Sequence, residues 1–538
     1  MSAAQPNLLG PAGGPHPAVV ARRRRQRVQI AVACLIPLVL ALAISVAVPN
    51  PSLTLLIAGV VGVAAVVALA ANPHLEVSVV ILALYLGMLE GPVKLGSGGH
   101  AAAAVVRDVL IFAVVLGALL RLVAREQPVK LPKLSGWVFA WAAIVLVEIF
   151  NPKTLNIEKV AGGLRQQMEW LPFFFFGYAL IRSKERFRKL FLLIGVIALA
   201  NGVVNVYQTR LSPTGLASWG PGYKELVFGT VEAGGSPGTT GGLAGRTYAV
   251  EGVAHVRPPG LGTDSGFGGG VGVVALAGLF ALLATGRLRR RWPVLVLVLG
   301  ALTAIVTGLG RIQVVGGVLA IVAFAALSFT VGRQVTRPLL ALALVFLIAV
   351  PLGAVLVSVE GAGTFSRYTS IAPENVASSK DKKTSDLEHI PSQLAAAPFG
   401  VGLGTVGASA GFGGKASEEL EGHNVSAETE YNFVIDEVGL PGLIVWVALT
   451  ITLLTLVIRR LPKVKDVELR LYLAATFAPI VAYTIMGFSG PTMSSAAYGP
   501  YFWLSVGIAS YWLVGPGRYI SGAEPRSEPA AATALAGV

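Results

Sequence analysis

The sequence predicts an all-α integral membrane protein, a polytopic bundle of about fourteen transmembrane helices with two large extracytoplasmic loops. Three observations predict it. Apolar residues make up 54% of the 538 residues and charged residues only 13%, against about 25% charged in an ordinary soluble domain. Mean hydropathy is +0.71; with roughly 20 apolar residues needed per bilayer crossing, the composition furnishes on the order of fourteen spans. Finally, basic residues recur in all but one of the alternate intervals between apolar runs.

Apolar runs broken by charge or by Pro/Gly clusters fall at 30–48, 53–71, 75–89, 103–124, 134–150, 168–181 and 190–207. They continue at 267–285, 293–309, 312–330, 338–357, 434–457, 471–488 and 501–514. Arg22 to Arg25 with Arg27, ahead of the first run, place the N-terminus in the cytoplasm. The intervals that return there hold Arg121, Arg125, Lys130 and Lys133; Arg182 to Lys189; Arg287 to Arg291; Arg333 and Arg337; Arg459 to Arg470; and Arg518 with Arg526. Only Asn72-Pro73-His74, after the second run, lacks a basic residue. Together with the N-terminal tail these intervals contain 27 of the 42 Lys and Arg and 7 of the 28 acids, which leaves +20 inside and −6 outside. The net charge of +14 is thus positional, as the positive-inside rule requires, and nucleic-acid binding is not needed to explain it. Lys130, Arg290 and Lys463 are expected in the cytoplasm, Lys224 and Lys382 outside.

The expected organisation is a basic cytoplasmic tail (1–29), spans one to seven (30–207), an outer loop (208–266) and spans eight to eleven (267–357). A larger outer loop (358–433), spans twelve to fourteen (434–514) and a cytoplasmic tail (515–538) follow. The first run is long and without a small-residue cleavage site, so it reads as a retained span. The single cysteine, Cys34, excludes a disulfide framework and a thiolate metal site. Gly234 to Gly242 reads as a flexible stretch, and no Walker-type phosphate loop occurs, which argues against an ATP-driven pump contained in this chain. No His/Asp/Glu set has metal-ligand spacing, so neither metal nor cofactor is expected.

Chemistry should face outward, where the long loops lie and where several ionisable residues sit at span ends. Arg311 occupies the tight connection Thr307-Gly308-Leu309-Gly310-Arg311, where it could also snorkel to a lipid phosphate. Arg165 precedes span six and could anchor at the interface with Trp170. Arg257 stands in Arg257-Pro258-Pro259-Gly260 ahead of span eight, with Asp264 as its competing partner. Arg107-Asp108 reads as an ion pair. A guanidinium is always charged and its planar fork matches phosphate oxygens, so three arginines converging at one rim would suit a diphosphate.

The larger loop carries a more specific pattern. Pro398-Phe399-Gly400-Val401-Gly402-Leu403-Gly404 is too rich in glycine to be helix. His423-Asn424-Val425-Ser426-Ala427-Glu428-Thr429-Glu430-Tyr431 then leads through Glu437-Val438-Gly439-Leu440-Pro441-Gly442 into span twelve. Ser426 is a candidate helix cap, and Glu428 and Glu430 suit the positive end of that helix. Glu430, Val434 and Glu437 or Val438 share one face, as do Glu428, Tyr431 and Ile435.

These residues resemble the O-antigen ligase and polymerase family of bacterial envelopes, whose members show a Pro-x-Gly-x-Gly-x-Gly turn in the large outer loop. Pro398, Gly400, Gly402 and Gly404 match that turn, and Tyr431, Glu437, Gly439 and Gly442 match the family's closing run. Arg257 with Gly260 looks like its Arg-x-x-Gly before a span, and Arg311 and Arg165 look like further arginines of its outer face. The resemblance covers roughly residues 150 to 490. It departs at the base: nine residues before Glu437, where the family's histidine usually stands, this chain has Glu428, and His423-Asn424 lies five residues earlier. Ungapped spacing favours Glu428; a loop insertion would favour His423.

The resemblance implies a membrane-embedded (GT-C type) glycosyltransferase of the bacterial inner membrane, metal-independent and with both termini cytoplasmic. It would transfer glycan from a polyprenyl-diphosphate carrier onto a glycan, lipid or protein hydroxyl. Arg165, Arg257 and Arg311 would hold the diphosphate, Glu428 or His423 would act as base, and Asn424, Glu430, Tyr431 and Glu437 would support them. A secondary transporter or flippase of lipid-linked oligosaccharide is the competing expectation. Its polar residues should gather at mid-bilayer, whereas here they gather at outer ends. A non-catalytic scaffold would leave the turn and the arginines without a shared purpose.

Overall fold

The computed structural model describes residues 68–69, 71–72, 74–96, 101–124, 131–154, 157–228, 247–250, 253–285, 291–329, 388–406, 429–492 and 495–520. The runs at 30–48 and 338–357, most of 53–71, the glycine stretch 234–242, and Lys130, Arg290 and Lys382 lie outside the described residues.

In order, the helices are α1 (Leu75–Leu84), α2 (Glu90–Gly96), α3 (Ala101–Ala124), α4 (Ser135–Val147), α5 (Ile157–Met168), α6 (Pro172–Leu180), α7 (Lys184–Thr209), α8 (Pro213–Ala217) and α9 (Pro221–Phe228). After the strands β1 (Thr247–Val250) and β2 (Val253–Val256) come α10 (Phe267–Ala284), α11 (Trp292–Thr307) and α12 (Arg311–Phe329). The last are α13 (Ile390–Ala396), α14 (Glu430–Arg460), α15 (Val467–Met486), α16 (Gly499–Trp512) and α17 (Gly517–Ile520). Six helices are long and apolar enough to cross a membrane: Leu75–Gly96, Lys184–Thr209, Phe267–Ala284, Arg311–Ser328, Glu430–Lys463 and Val467–Met486. Ser135–Phe150 and Trp292–Thr307 are shorter apolar helices. A helical membrane protein is what this set supports; among the described residues the number of such helices is six, short of the fourteen expected. β1 and β2 form an antiparallel hairpin, Thr247 opposite Val256, a small departure from an all-α chain.

The chain divides into two compact units, residues 1–85 with 100–127, and residues 86–99 with 128–538. In the first, α1 packs on α3. Arg107 Nε lies 3.7 Å from Asp108 Oδ1, the ion pair the sequence suggested, and the Arg121 guanidinium donates to the Asn72 carbonyl.

In the second unit α10 is the central helix. It is apolar all round, and nearly all of its residues are buried among α7, α11, α12 and α15, as expected for a helix without a polar face. Small residues bring the helices close, the packing that membrane helices favour when neither water nor lipid rewards association. A Cβ on Gly177 of α6 would collide with the Leu504 carbonyl of α16, and one on Gly507 of α16 with the Phe174 carbonyl of α6.

Polar contacts fall at two ends of this unit. At the end expected to face the cytoplasm, Lys184 Nζ lies 2.6 Å from Asp466 Oδ2, Arg188 pairs with Glu468, and Trp512 Nε1 donates to the Ile181 carbonyl at 2.7 Å. Asp466 also caps α15, accepting from Leu469 N at 3.0 Å. Burial alone would raise the Asp466 carboxyl, but the Lys184 ammonium and the Leu469 N–H outweigh it and hold Asp466 below its ordinary value. At the opposite end α4, α5, α7, α10, α14 and α15 meet the loops described below. Within the described part of 208–266, Leu216, Tyr223, Leu226, Val227 and Val256 bury together with Leu95.

Three boundaries differ from the sequence reading. The third run continues as helix through Gly96, with a π turn at Tyr85–Leu89. Span six, expected at 168–181, is helical only over the nine-residue α6, and the polar α5 precedes it. Lys159, Gln166 and Gln167 of α5 are buried against other chain segments rather than against lipid. Span twelve begins at Glu430, four residues early, and breaks at Gly439.

Two outcomes follow from this arrangement. In a Cys34→Ser background, an impermeant maleimide should label Lys224→Cys on intact cells and Lys463→Cys only after permeabilisation; the reverse pattern would invert the topology. The Asp466–Lys184 pair should contribute stability above the unfolded aspartate pKa and lose it as pH falls through the lowered one. Both side chains are about a third exposed, so Lys184→Met should cost no more than about 1 kcal/mol at neutral pH, read from thermal unfolding in detergent.

Candidate functional site

The glycine-rich turn is clamped between two helices. Gly400, Gly402 and Gly404 have φ of +84°, +102° and +76°, a region open to glycine and strained for other residues. The turn is fixed by the broken helix α14. Val401 N donates to the Asp436 carbonyl at 2.6 Å, and Leu440 N donates to the Pro398 carbonyl at 2.8 Å. The second bond needs α14 to open at Gly439, which has φ +61° and ψ −160°. A Cβ there would press on Pro398 and Phe399.

Glu437 ties the turn to α5. Its side chain is fully buried; one carboxylate oxygen accepts from Gly404 N at 3.1 Å and the other from Gln167 Nε2 at 2.6 Å. The Gln167 carbonyl in turn accepts from Trp141 Nε1 at 3.1 Å, and Gln166 donates to the Val406 carbonyl at 3.3 Å. Asn151, just past α4, reaches the Gly400 carbonyl at 3.3 Å. A carboxylate that accepts two N–H donors in a dry interior is a strong and directional tether.

A second clasp holds the Arg257 loop. Asn201, Asn205 and Gln208 on α7 are each at most 1% exposed. Gln208 pairs with both backbone groups of Gly260, accepting from its N at 2.8 Å and donating to its carbonyl at 3.1 Å. Asn201 accepts from Leu261 N at 2.9 Å and donates to the Gly87 carbonyl at 2.9 Å. Asn205 donates to the Ala304 carbonyl at 3.3 Å. Gly260 has φ +67°, and a Cβ on it would meet the Asn201 and Asn205 oxygens. The sequence reading missed these amides. Their signal was three amide residues at i, i+4 and i+7 within an otherwise apolar span, the spacing of one helix face.

The candidate arginines fall in this neighbourhood. Arg257 adjoins Pro258, whose carbonyl accepts from Gly266 N at 3.4 Å. Gly266 in turn packs against the Gln313 amide, two residues beyond Arg311, so the Arg257 loop and the Arg311 hairpin are in contact. Leu309, buried at the hairpin, takes φ +52°, which records how tight the connection is. Arg165 belongs to the first clasp, on α5, with Nε 3.8 Å from Glu169 Oε2. All three arginines thus stand at the same end of the unit, Arg257 and Arg311 in adjoining segments and Arg165 beside the turn.

Glu430 begins α14. Thr429, not Ser426, caps that helix: its extended backbone places Oγ1 to accept from Asn432 N at 3.2 Å. Ser426 lies outside the described residues, as do His423, Asn424 and Glu428. Glu430 is 2% exposed, and its carboxylate accepts from the Thr492 N–H. Tyr431 donates to the Thr484 carbonyl at 3.3 Å and packs on Phe488 with ring centroids 4.6 Å apart. Glu430 and Glu437 lie on one helical face yet serve different partners, Glu430 the α15–α16 connection and Glu437 the turn. Asp436, which the sequence reading also passed over, is 5% exposed and keeps Oδ2 without a hydrogen-bond partner. Among the described residues no group of three His, Cys, Asp or Glu could hold a metal ion.

Glu437→Leu should leave the Gly404 N–H and the Gln167 amide unpaired and lower stability by about 2–4 kcal/mol, since a buried orphaned donor costs roughly 1–3 kcal/mol. Glu437→Gln should cost less than half as much, because the Gln167 amide can rotate to accept from the new one. Thermal unfolding in detergent reads both; equal loss in the two variants would mean that Glu437 acts through its charge rather than as a tether.

Comparison with protein-family models, with curated proteins and with solved structures finds no match to the chain.

Proposed function

We propose that the protein is a membrane glycosyltransferase of cell-envelope polysaccharide synthesis, similar to the O-antigen ligases and polymerases. It would take glycan from a polyprenyl-diphosphate carrier on the outer face of the bacterial inner membrane. The observation that carries the reading is the pairing of its motif segments, the Pro398 to Gly404 turn with the Glu437 to Gly442 run and the Arg257 segment with the Arg311 hairpin. The segments lie up to 185 residues apart in sequence, from Arg257 to Gly442, and nothing in their composition alone requires them to come together.

In this reaction the acceptor hydroxyl oxygen forms a bond to the anomeric carbon as the bond from that carbon to the diphosphate oxygen breaks. The hydroxyl proton passes to Glu428 or His423, and the carrier leaves as its diphosphate. Charge grows on the diphosphate as the bond breaks, so fixed guanidinium groups of Arg257 and Arg311, with Arg165, stabilise the transition state more than the ground state. The clasps hold the arginine-bearing segments in place before substrate arrives, which is the preorganisation such stabilisation needs. Glu437, being buried and committed to Gly404 and Gln167, acts as a positioning residue.

Purified protein in vesicles, given a polyprenyl-diphosphate glycan and an acceptor, should release carrier diphosphate in step with glycan product. Glu428→Gln or His423→Gln, whichever is the base, should lower turnover by about a hundredfold to ten-thousandfold with substrate binding retained. Arg257→Lys and Arg311→Lys should each cost about tenfold or more, because lysine keeps the charge but loses a fork of charge-assisted hydrogen bonds. Translocation of the glycan lipid without diphosphate release would replace the enzyme by a flippase.

A further inference from the structure

The glycine turn buries all but its tip. From Ala397 to Val406 only Pro398 and Phe399 are exposed, Phe399 by 66%. Two helices run side by side toward that tip, α4 and α14, in contact through Trp141 and Trp446 with ring centroids 6.1 Å apart. Each carries a one-sided stripe of exposed apolar side chains. On α4 and the turn that follows it the stripe is Phe139, Leu146 and Phe150; on α14 it is Leu440, Ile444, Ile451 and Ile458. Steps of four and seven residues keep each stripe on one helical face. α14 belongs to a segment long and apolar enough to cross a membrane, and such a stripe is the face it turns to hydrocarbon.

The tip of the turn joins the ends of both stripes. Asn151, next to Phe150, donates to the Phe399 and Gly400 carbonyls at 3.4 and 3.3 Å, and Leu440 N donates to the Pro398 carbonyl at 2.8 Å. Phe150, 84% exposed, Phe399 and Leu440 therefore carry the apolar surface of the helices onto the loop. Single exposed hydrophobic residues are ordinary, whereas a contiguous surface of them marks an interaction site.

The backbone of the tip specifies what covers it. Five successive carbonyls accept a donor from the protein: Ala396 from Lys153 Nζ at 3.2 Å, Ala397 from Gly400 N at 2.9 Å, Pro398 from Leu440 N, and Phe399 and Gly400 from Asn151. In a loop bathed in water the solvent satisfies such groups; irregular backbone at membrane depth needs them satisfied by protein. Lys153 is itself exposed, a cation at the edge of the apolar surface, as is common where side chains reach from the membrane boundary to head groups.

We propose that Pro398 and Phe399, with Phe150 and Leu440, form a membrane-inserted rim, seated among the acyl chains of the leaflet at this end of the unit, with Lys153 at the level of the head-group phosphates. The glycine turn, expected within an aqueous loop, then lies at the lipid boundary. The proposal rests on the exposed surface and its backbone bonds, and does not depend on the glycosyl-transfer reading.

A nitroxide label reads the surroundings of the tip directly. In a Cys34→Ser background, Phe399→Cys, Ile451→Cys and Lys465→Cys are each labelled, and the full-length protein is placed in nanodiscs of phosphatidylcholine and phosphatidylglycerol. Power saturation of the electron paramagnetic resonance signal gives the collision rates with oxygen and with neutral nickel ethylenediamine diacetate. Oxygen enters hydrocarbon; the polar chelate is excluded from it. The oxygen-to-chelate ratio at Phe399→Cys should approach that at Ile451→Cys and exceed that at Lys465→Cys by about fivefold or more, the exclusion that about 1 kcal/mol of desolvation gives. A smaller excess would place the tip in water, and slow collision with both reagents would place another protein over it, a second copy of this chain included; either result overturns the proposal. If Phe399→Cys fails to fold, Phe150→Cys makes the same comparison with the same outcomes.

Discussion

One end of the larger unit depends on one buried carboxylate. Glu437 accepts from the Gly404 backbone and from Gln167, so a single side chain of α14 joins the glycine turn to α5. Burying a carboxylate is costly unless its oxygens are satisfied, and here the donors come from two other parts of the chain. That requirement fixes the geometry around it. α14 must break at Gly439 so that Leu440 N can reach Pro398, and the turn must run through three left-handed glycines to present Gly404 N inward. α5 must keep Gln166 and Gln167 toward the turn, which makes α5 a polar helix within an apolar protein. The helix break and the glycines are consequences of one electrostatic tether.

The same logic recurs at the Arg257 loop with amides in place of the carboxylate. Asn201 and Gln208 satisfy the backbone of Gly260 and Leu261, groups that would otherwise be buried unpaired where the loop turns between helices. Irregular backbone near a bilayer is tolerated where other protein groups satisfy it, and both clasps meet that condition. At the opposite end the polar contacts are ion pairs between side chains, Lys184 with Asp466 and Arg188 with Glu468. They are partly exposed and join helix ends rather than shape a loop. The two ends of the unit therefore differ in kind: one fixes backbone, the other complements charge.

Much of this was legible in the sequence, and the parts that were not share a cause. Apolar runs located the helices because hydrophobic length is a local property, and the spaced glycines from Pro398 to Gly404 announced a turn because φ above zero is a single-residue requirement. Arg107-Asp108 was readable for the same reason. The buried polar helix α5 ahead of span six was hidden because Gln166 and Gln167 find partners only 240 and 270 residues away, in the Gln166–Val406 and Gln167–Glu437 bonds. The amides of α7 were hidden likewise, since an Asn or Gln in an apolar span acquires meaning only when its backbone partner is known. Thr429 displaced Ser426 as the cap because Glu430 N is held by the Gly487 carbonyl at 2.9 Å, which sets where the helix begins. The β-hairpin had no strong alternation to reveal it.

The central claim is that the clasps present Arg257 and Arg311 at one outer site for the diphosphate of a lipid-linked glycan. A cryo-electron-microscopy map of the protein in nanodiscs with a polyprenyl diphosphate tests it most directly. The account predicts head-group density in contact with both guanidinium groups, at the junction of the Arg257 loop and the Arg311 hairpin, with Gly260 still paired to Gln208. Head-group density elsewhere, with the two arginines turned separately toward lipid or solvent, would contradict it.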